Sequence, residues 1–226
     1  MKKIFTLLAL TISFSMNGQM DDNSANDNSA GFNAVAMGES TTASGYNSTA
    51  MGRSTTASGD YSAAMGYQTT ASARSSTAMG ESTEASGSRS TAMGRSTTAS
   101  GLYSTAMGRS TTASGDYSTA MGYGTTASGD YATAMGYITI ASDFGSLVIG
   151  QFNSSGSSAT SASSFSTSAP AFVIGNGTNG FNLSDAFKVM FNGDTTVSND
   201  LTVSGDVNIS SDARLKSNIV SLGSTL

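Results

Sequence analysis

The 226-residue chain has no cysteine, no histidine and no tryptophan, and only one proline. Without His or Cys there is no ordinary zinc, haem or iron–sulfur site, no thiol nucleophile and no imidazole base. Disulfides cannot hold the fold together, and neither a cofactor nor a metal is expected. Charge is scarce as well. Asp, Glu, Lys and Arg make up 11% of residues, with ten basic against fifteen acidic side chains and a net charge of −5, whereas ordinary domains carry roughly 25% charged residues. That balance speaks against a charged disordered tail and against a basic nucleic-acid binder. Hydrophobic residues reach 38%, below the usual roughly 45–50%, and many are alanines, so any core must be thin.

Long apolar runs are missing with one exception. Lys2 and Lys3 precede the run Ile4 to Phe14, which is followed by the polar Ser15-Met16-Asn17-Gly18-Gln19. The run is shorter than the roughly twenty residues of a membrane-spanning helix, and the order of segments is that of a cleavable signal peptide over 1–19. The mature chain is then exported, with no membrane span of its own. Residues 20–33, opening MDDNSANDNSA, read as a flexible tether.

What the chain has in plenty is glycine, 26 residues in all, most of them set in a strict period. Met37, Met51, Met65, Met79, Met93, Met107, Met121 and Met135 fall fourteen apart, each between Ala and Gly, and Ile149 takes the next place behind Val148. Midway runs a second row, Ala43, Ala57, Ala71, Ala85, Ala99, Ala113, Ala127 and Ala141, each followed by Ser and usually by Gly. A short repeat without insertions means that each unit adds one increment of structure and buries its face on its neighbours. Glycine every seven residues, with many Thr and few Leu, Glu or Lys, excludes a coiled coil. Collagen would need glycine at every third residue.

A parallel β-coil remains, with two short strands per fourteen-residue turn and Gly-x-x corners. Turns stacked about 4.8 Å apart over 34–150 make a rod roughly 40 Å tall. Alternation puts Thr49 and Met51 on one face of a strand and Ser48, Ala50 and Gly52 on the other. So narrow a turn buries little apolar surface. The Met column and the Ala/Gly face are therefore both expected to need company, the latter by admitting another backbone closely. Three identical coils closing a ring is the natural arrangement. Met37 to Met135 with Ile149 are expected to be core or interchain contact rather than metal or redox groups.

The run STAMGRSTTASGDYSTAMGYGTTASG resembles the YadA-like head repeat of trimeric autotransporter adhesins, Ser-x-Ala-(Ile/Met)-Gly-x-x-Ser-x-Ala-x-Gly, over about 34–150. The resemblance implies a left-handed parallel β-roll assembled as a homotrimer. It also implies display at the cell surface or outer membrane, and adhesion to an extracellular surface, matrix or glycan. Ala73 and Asp143 depart from the midway glycine and are expected to loosen their corners.

Past Gly150 the period stops. Residues 151–170, rich in serine, read as a linker. Short alternating runs at Ala171-Phe172-Val173-Ile174, Phe187-Lys188-Val189-Met190-Phe191, Leu201-Thr202-Val203 and Val207-Asn208-Ile209 are then expected to form a β-stalk over 171–210, intertwined with two partner chains. Residues 211–226 open with Ser211-Asp212-Ala213-Arg214-Leu215-Lys216-Ser217-Asn218-Ile219. They are similar to the start of the endosialidase-type intramolecular chaperone, which trimerises fibres and cuts itself free. By that resemblance Ser211 is the nucleophile, Lys216 its base and Asp212 an assisting group. Only the opening of that module is present, so no self-cleavage, and no enzyme activity, is expected of this chain.

Candidate binding residues lie at the corners. Arg53, Arg95, Arg109, Tyr67, Tyr123 and Tyr137 follow Ala-Met-Gly, in a variable column shared with Glu39 and Glu81, and variation on a rigid scaffold is where recognition resides. Gly59-Asp60-Tyr61, Gly115-Asp116-Tyr117 and Gly129-Asp130-Tyr131 are weaker candidates for calcium or a sugar, with too few oxygen ligands per turn. The stretch GNGTNG at 175–180 lacks the Lys-Ser/Thr of a phosphate loop. Beside the adhesin-like fibre stand two alternatives: a Thr-rich solenoid face that binds a flat surface such as ice, and a fragment of a phage-type tail fibre or tailspike.

Overall fold

The computed structural model describes residues 28, 29 and 31–204. The expected signal peptide and the chaperone opening, with Ser211, Asp212 and Lys216, lie outside the described residues. Among the described residues there is no helix; the chain is a parallel β-solenoid built from two sheets. Nine five-residue strands, from Val35–Glu39 to Leu147–Gln151, stack into the long sheet. Nine two-residue strands, from Asn28–Ser29 to Ile140–Ala141, stack into the short one. Register never slips: Met79 pairs with Met93, Met93 with Met107, and Ala99 with Ala113.

Which face turns inward is settled by volume. Ala92, Thr97, Ala99 and Ser104 of one turn point into the coil and are buried together with Gly101, as are their equivalents in the other turns except the half-buried Gly31 and Ala73. Met93 and Thr91 point outward and are half-buried. A lumen closed by fourteen residues has room for Ala, Ser, Thr and Gly and none for a methionine. The Ala/Gly face thus meets successive turns of its own chain, not another chain, and the Met column lies outside the single-chain core. Contact at this face is close. A Cβ placed on Gly101 would sit 2.0 Å from the Gly115 carbonyl oxygen, so a side chain in this column, as at Ala73 and Asp143, requires the corner to shift.

Corners are turned with left-handed residues. Ser96 and Tyr103 have φ of 54° and 57°, and the same two positions recur in nearly every turn. Each such non-glycine residue costs about 1–2 kcal/mol of local strain, offset by a backbone bond to the preceding turn, as Tyr103 N–H to Ser88 O at 2.9 Å and Ser96 N–H to Glu81 O at 2.8 Å. At Ala73 the corner is weaker. Gly59 and Gly87 each add a second amide bond to the next turn, at 3.3 and 3.1 Å, whereas at this corner only Ser72 donates, to Ala85 O at 3.1 Å.

The Ser-rich stretch after Gly150 folds over the end of the coil. Asn153, buried, imitates one more backbone strand: its Oδ1 accepts Ile140 N–H and its Nδ2 donates to Ile140 O, both at 2.8 Å. Asp143, also fully buried, does not loosen its corner, because its Oδ1 accepts the amides of Thr160 and Ser161 at 2.5 and 2.7 Å. Asp185 accepts Ser154 N–H and Ser155 N–H on its two oxygens. Hydrogen bonds rather than apolar contacts build this cap, which is why composition alone suggested a linker.

Strand Pro170–Asn176 then returns to the long sheet, pairing in parallel with Leu147–Gln151 so that Val173 meets Val148 and Gly175 meets Gly150. Two antiparallel strands, Asp185–Met190 and Thr195–Val197, extend the sheet to twelve.

Candidate ligand-facing columns

Exact register turns every variable position into a ladder. In the column after Met-Gly, Arg53 Nε lies 3.3 Å from Glu39 Oε2, and the Arg53 guanidinium stands 5.6 Å from the Tyr67 ring centre. Arg95 pairs with Glu81 at 3.5 Å. Arg109 stands over Tyr123, which stacks on Tyr137 at 5.1 Å, and Tyr137 meets the edge of Phe152. All six residues predicted for this column are exposed and share one edge of the rod. Their ion pairs are open to solvent, where such pairs contribute about 0–1 kcal/mol. The ladder is a surface laid over the scaffold rather than a support of it.

A second ladder, on the opposite corner, escaped the sequence reading apart from its Gly-Asp-Tyr segments. Phe32 stacks on Tyr46, and Tyr46 meets Tyr61. Tyr103, Tyr117 and Tyr131 form a continuous stack at 5.0 and 4.9 Å that closes on Phe144. Between the two stacks Arg74 faces Tyr61 and Arg89 faces Tyr103, at 5.9 and 5.0 Å. The fourteen-residue recurrence of Tyr103, Tyr117 and Tyr131 was the available signal. All eight tyrosines of the chain stand exposed on these two corners.

The Gly-Asp-Tyr carboxylates have a local task. Oδ1 of Asp60, Asp116 and Asp130 accepts the amide of Tyr46, Leu102 and Asp116 respectively, each at 2.9 Å. One oxygen of each is thereby engaged with the backbone of the preceding turn. Among the described residues no three His, Cys, Asp or Glu side chains gather as a metal site would need.

Two outward faces complete the rod. The short-sheet face carries Thr42, Thr56, Thr70, Thr98, Thr112 and Thr126, but Glu84 stands between Thr70 and Thr98, and Ile140 follows Thr126. The long-sheet face carries the eight methionines and Ile149, all half-buried. Near the cap, an open depression of about 360 Å³ lies among Ser154, Ser155, Asp185 and Lys188; the carboxylate lining it is the one already bonded to the cap amides.

A family model described as the YadA head domain repeat (2 copies) matches residues 29–55, 57–82, 85–111 and 113–137. Each match spans about two turns of the coil. It lends no support to the chaperone likeness expected at 211–226. No curated protein matches the chain.

Proposed function

We propose, from the match of residues 29–55, 57–82, 85–111 and 113–137 to the YadA head domain repeat, that the chain is a homotrimeric, adhesin-like surface fibre that binds extracellular matrix, glycan or another surface without chemistry. The observation that carries the reading is the Met column. Eight turns present a half-buried methionine at the same height on the same flank. A flank of this kind is half-covered in one chain, and parallel copies about a common axis would bring equal turns together. The long thioether side chains adapt to one another across such a seam.

Export and display at the cell surface belong to the same proposal, whereas the expected linker over 151–170 is the cap of the coil and the strand at Pro170–Asn176, expected in a separate β-stalk, continues the long sheet of its own chain. So does the role of the corner ladders. With three copies, Arg53, Tyr67, Arg95, Arg109, Tyr123 and Tyr137 are repeated around the rod, and weak contacts multiply into avidity. The Thr face supports the ice-binding alternative less, since Glu84 breaks its array.

Light scattering on the exported chain tests the assembly, and a mass near three times that of one chain is expected. Binding to immobilised matrix proteins and glycans should then fall in a Tyr123→Ser, Tyr137→Ser variant that keeps this mass. A folded monomer would overturn the fibre reading. Unchanged binding by a trimeric corner variant would remove the ligand role of that corner.

A further inference from the structure

The outward apolar column does not end with the repeats. Register carries it from Met135 to Ile149, on to Ile174, then to Phe187, where pairing turns antiparallel, and finally to Val197. The column beside it changes chemistry at the same height. Thr119 and Thr133 give way to Leu147, Phe172 and Val189. Three adjacent strands therefore present Leu147, Ile149, Phe172, Ile174, Phe187 and Val189 on one face, where earlier turns offer one Met and, as a rule, one Thr. All six are half-buried, and the Phe172 and Phe187 rings meet edge to face at 6.0 Å.

A second observation comes from the strand Asp185–Met190, which has no fully buried residue, whereas every five-residue strand of the long sheet buries one. Beyond the end of the coil, this part of the sheet has lost the layer that covers the rest. The face left uncovered is the inward one, where the half-buried Lys188 pairs with the buried Val173, so the outward patch is the side on which this part of the sheet can gain the second layer that a stable sheet needs.

We infer that this widened apolar patch is the principal contact between copies of this chain, and that the Met column closes behind it; the inference rests on the trimer reading above. The occupant is a second copy for a geometric reason. The patch shares its face and its register with the Met column, so parallel copies that bring Met against Met bring patch against patch. Apolar area is concentrated here, and the burial that drives association scales with that area.

The chain has no cysteine, so a single introduced thiol reports alone. Ile174→Cys in the full chain should crosslink between chains with a short bis-maleimide, while Ser100→Cys, exposed on the short-sheet side, should not. An Ile174→Glu, Phe187→Glu variant should fall to one third of the wild-type mass with its β circular dichroism kept, and Met93→Glu should remain trimeric at the same concentration. A trimer that survives the double change, or crosslinking at Met93→Cys but not at Ile174→Cys, would overturn the patch while leaving the trimer in place. Wild-type protein with the mass of one chain would overturn both. Should the double variant fail to fold, the thiol pair decides by itself.

Discussion

Gly94 lies directly against Gly108 one turn on: its φ is +120°, and a Cβ built there would stand 2.0 Å from the Gly108 carbonyl oxygen. Two independent penalties therefore meet at one atom, a backbone conformation closed to L side chains and a collision with main chain that cannot move aside. Gly94→Ala should lower the unfolding free energy by at least about 2 kcal/mol, read as the denaturation midpoint at fixed chain concentration. A variant that melts with the wild type would show the stacking to be looser than this.

The buried Oγ1 atoms of Thr55, Thr69, Thr83, Thr97, Thr111, Thr125 and Thr139 have no hydrogen-bond partner within the chain. A desolvated hydroxyl of this kind costs about 1–3 kcal/mol. Thr97→Val keeps the shape and removes the hydroxyl, so it should raise the melting temperature, and Thr97→Val with Thr111→Val should raise it further. A loss of stability would reveal a bond to those hydroxyls.

At the end of the coil, Asp143→Ala leaves the Thr160 and Ser161 amides without their acceptor, and Asn153→Leu does the same to both backbone groups of Ile140. Each should cost roughly 1–3 kcal/mol. Hydrogen exchange is expected to speed up in 154–168 for the first variant and at Ile140 for the second, with the turns around Met65 unaffected. Equal acceleration along the whole rod would mean that the cap and the coil open as one.

Calcium should be irrelevant to the Gly-Asp-Tyr corners. Since Asp60, Asp116 and Asp130 each give an oxygen to a backbone amide, addition of chelator or of millimolar calcium should leave the melting curve in place. Asp116→Ala should cost no more than about 1 kcal/mol at so exposed a site. A calcium-dependent shift abolished by Asp116→Ala would assign a metal site there.

The coil was legible in the sequence because Met, Ala and Gly recur at one spacing without insertion, and neither a coiled coil nor a collagen helix accepts glycine at that spacing. Alternation told which side chains share a face but not which face turns inward. That choice depends on the width of the lumen, which excludes Met93 and admits Ala92. The cap was hidden for a different reason. Asn153 and Asp143 act through hydrogen bonds that leave no hydrophobic pattern, so a serine-rich run around them looks structureless. The return of the chain to the sheet did leave a trace, since Phe172-Val173-Ile174-Gly175 repeats the pattern of Leu147-Val148-Ile149-Gly150. Of the two corner ladders, the one after Met-Gly was found by its variability. The other was read in pieces, because its aromatic ring moves between neighbouring positions, from Tyr46 to Tyr61.

Because every turn from Val35 to Gln151 offers its successor the same backbone edge, reach is written in the copy number of a fourteen-residue word. Loss or gain of one whole word would shorten or lengthen the rod by about 4.8 Å and leave both ends, and both corner ladders, in phase. Any other length change would throw Gly94 out from beneath Gly108 and turn Ala columns outward. A gene that stutters in this unit can tune the length of the rod without redesigning either of its ends.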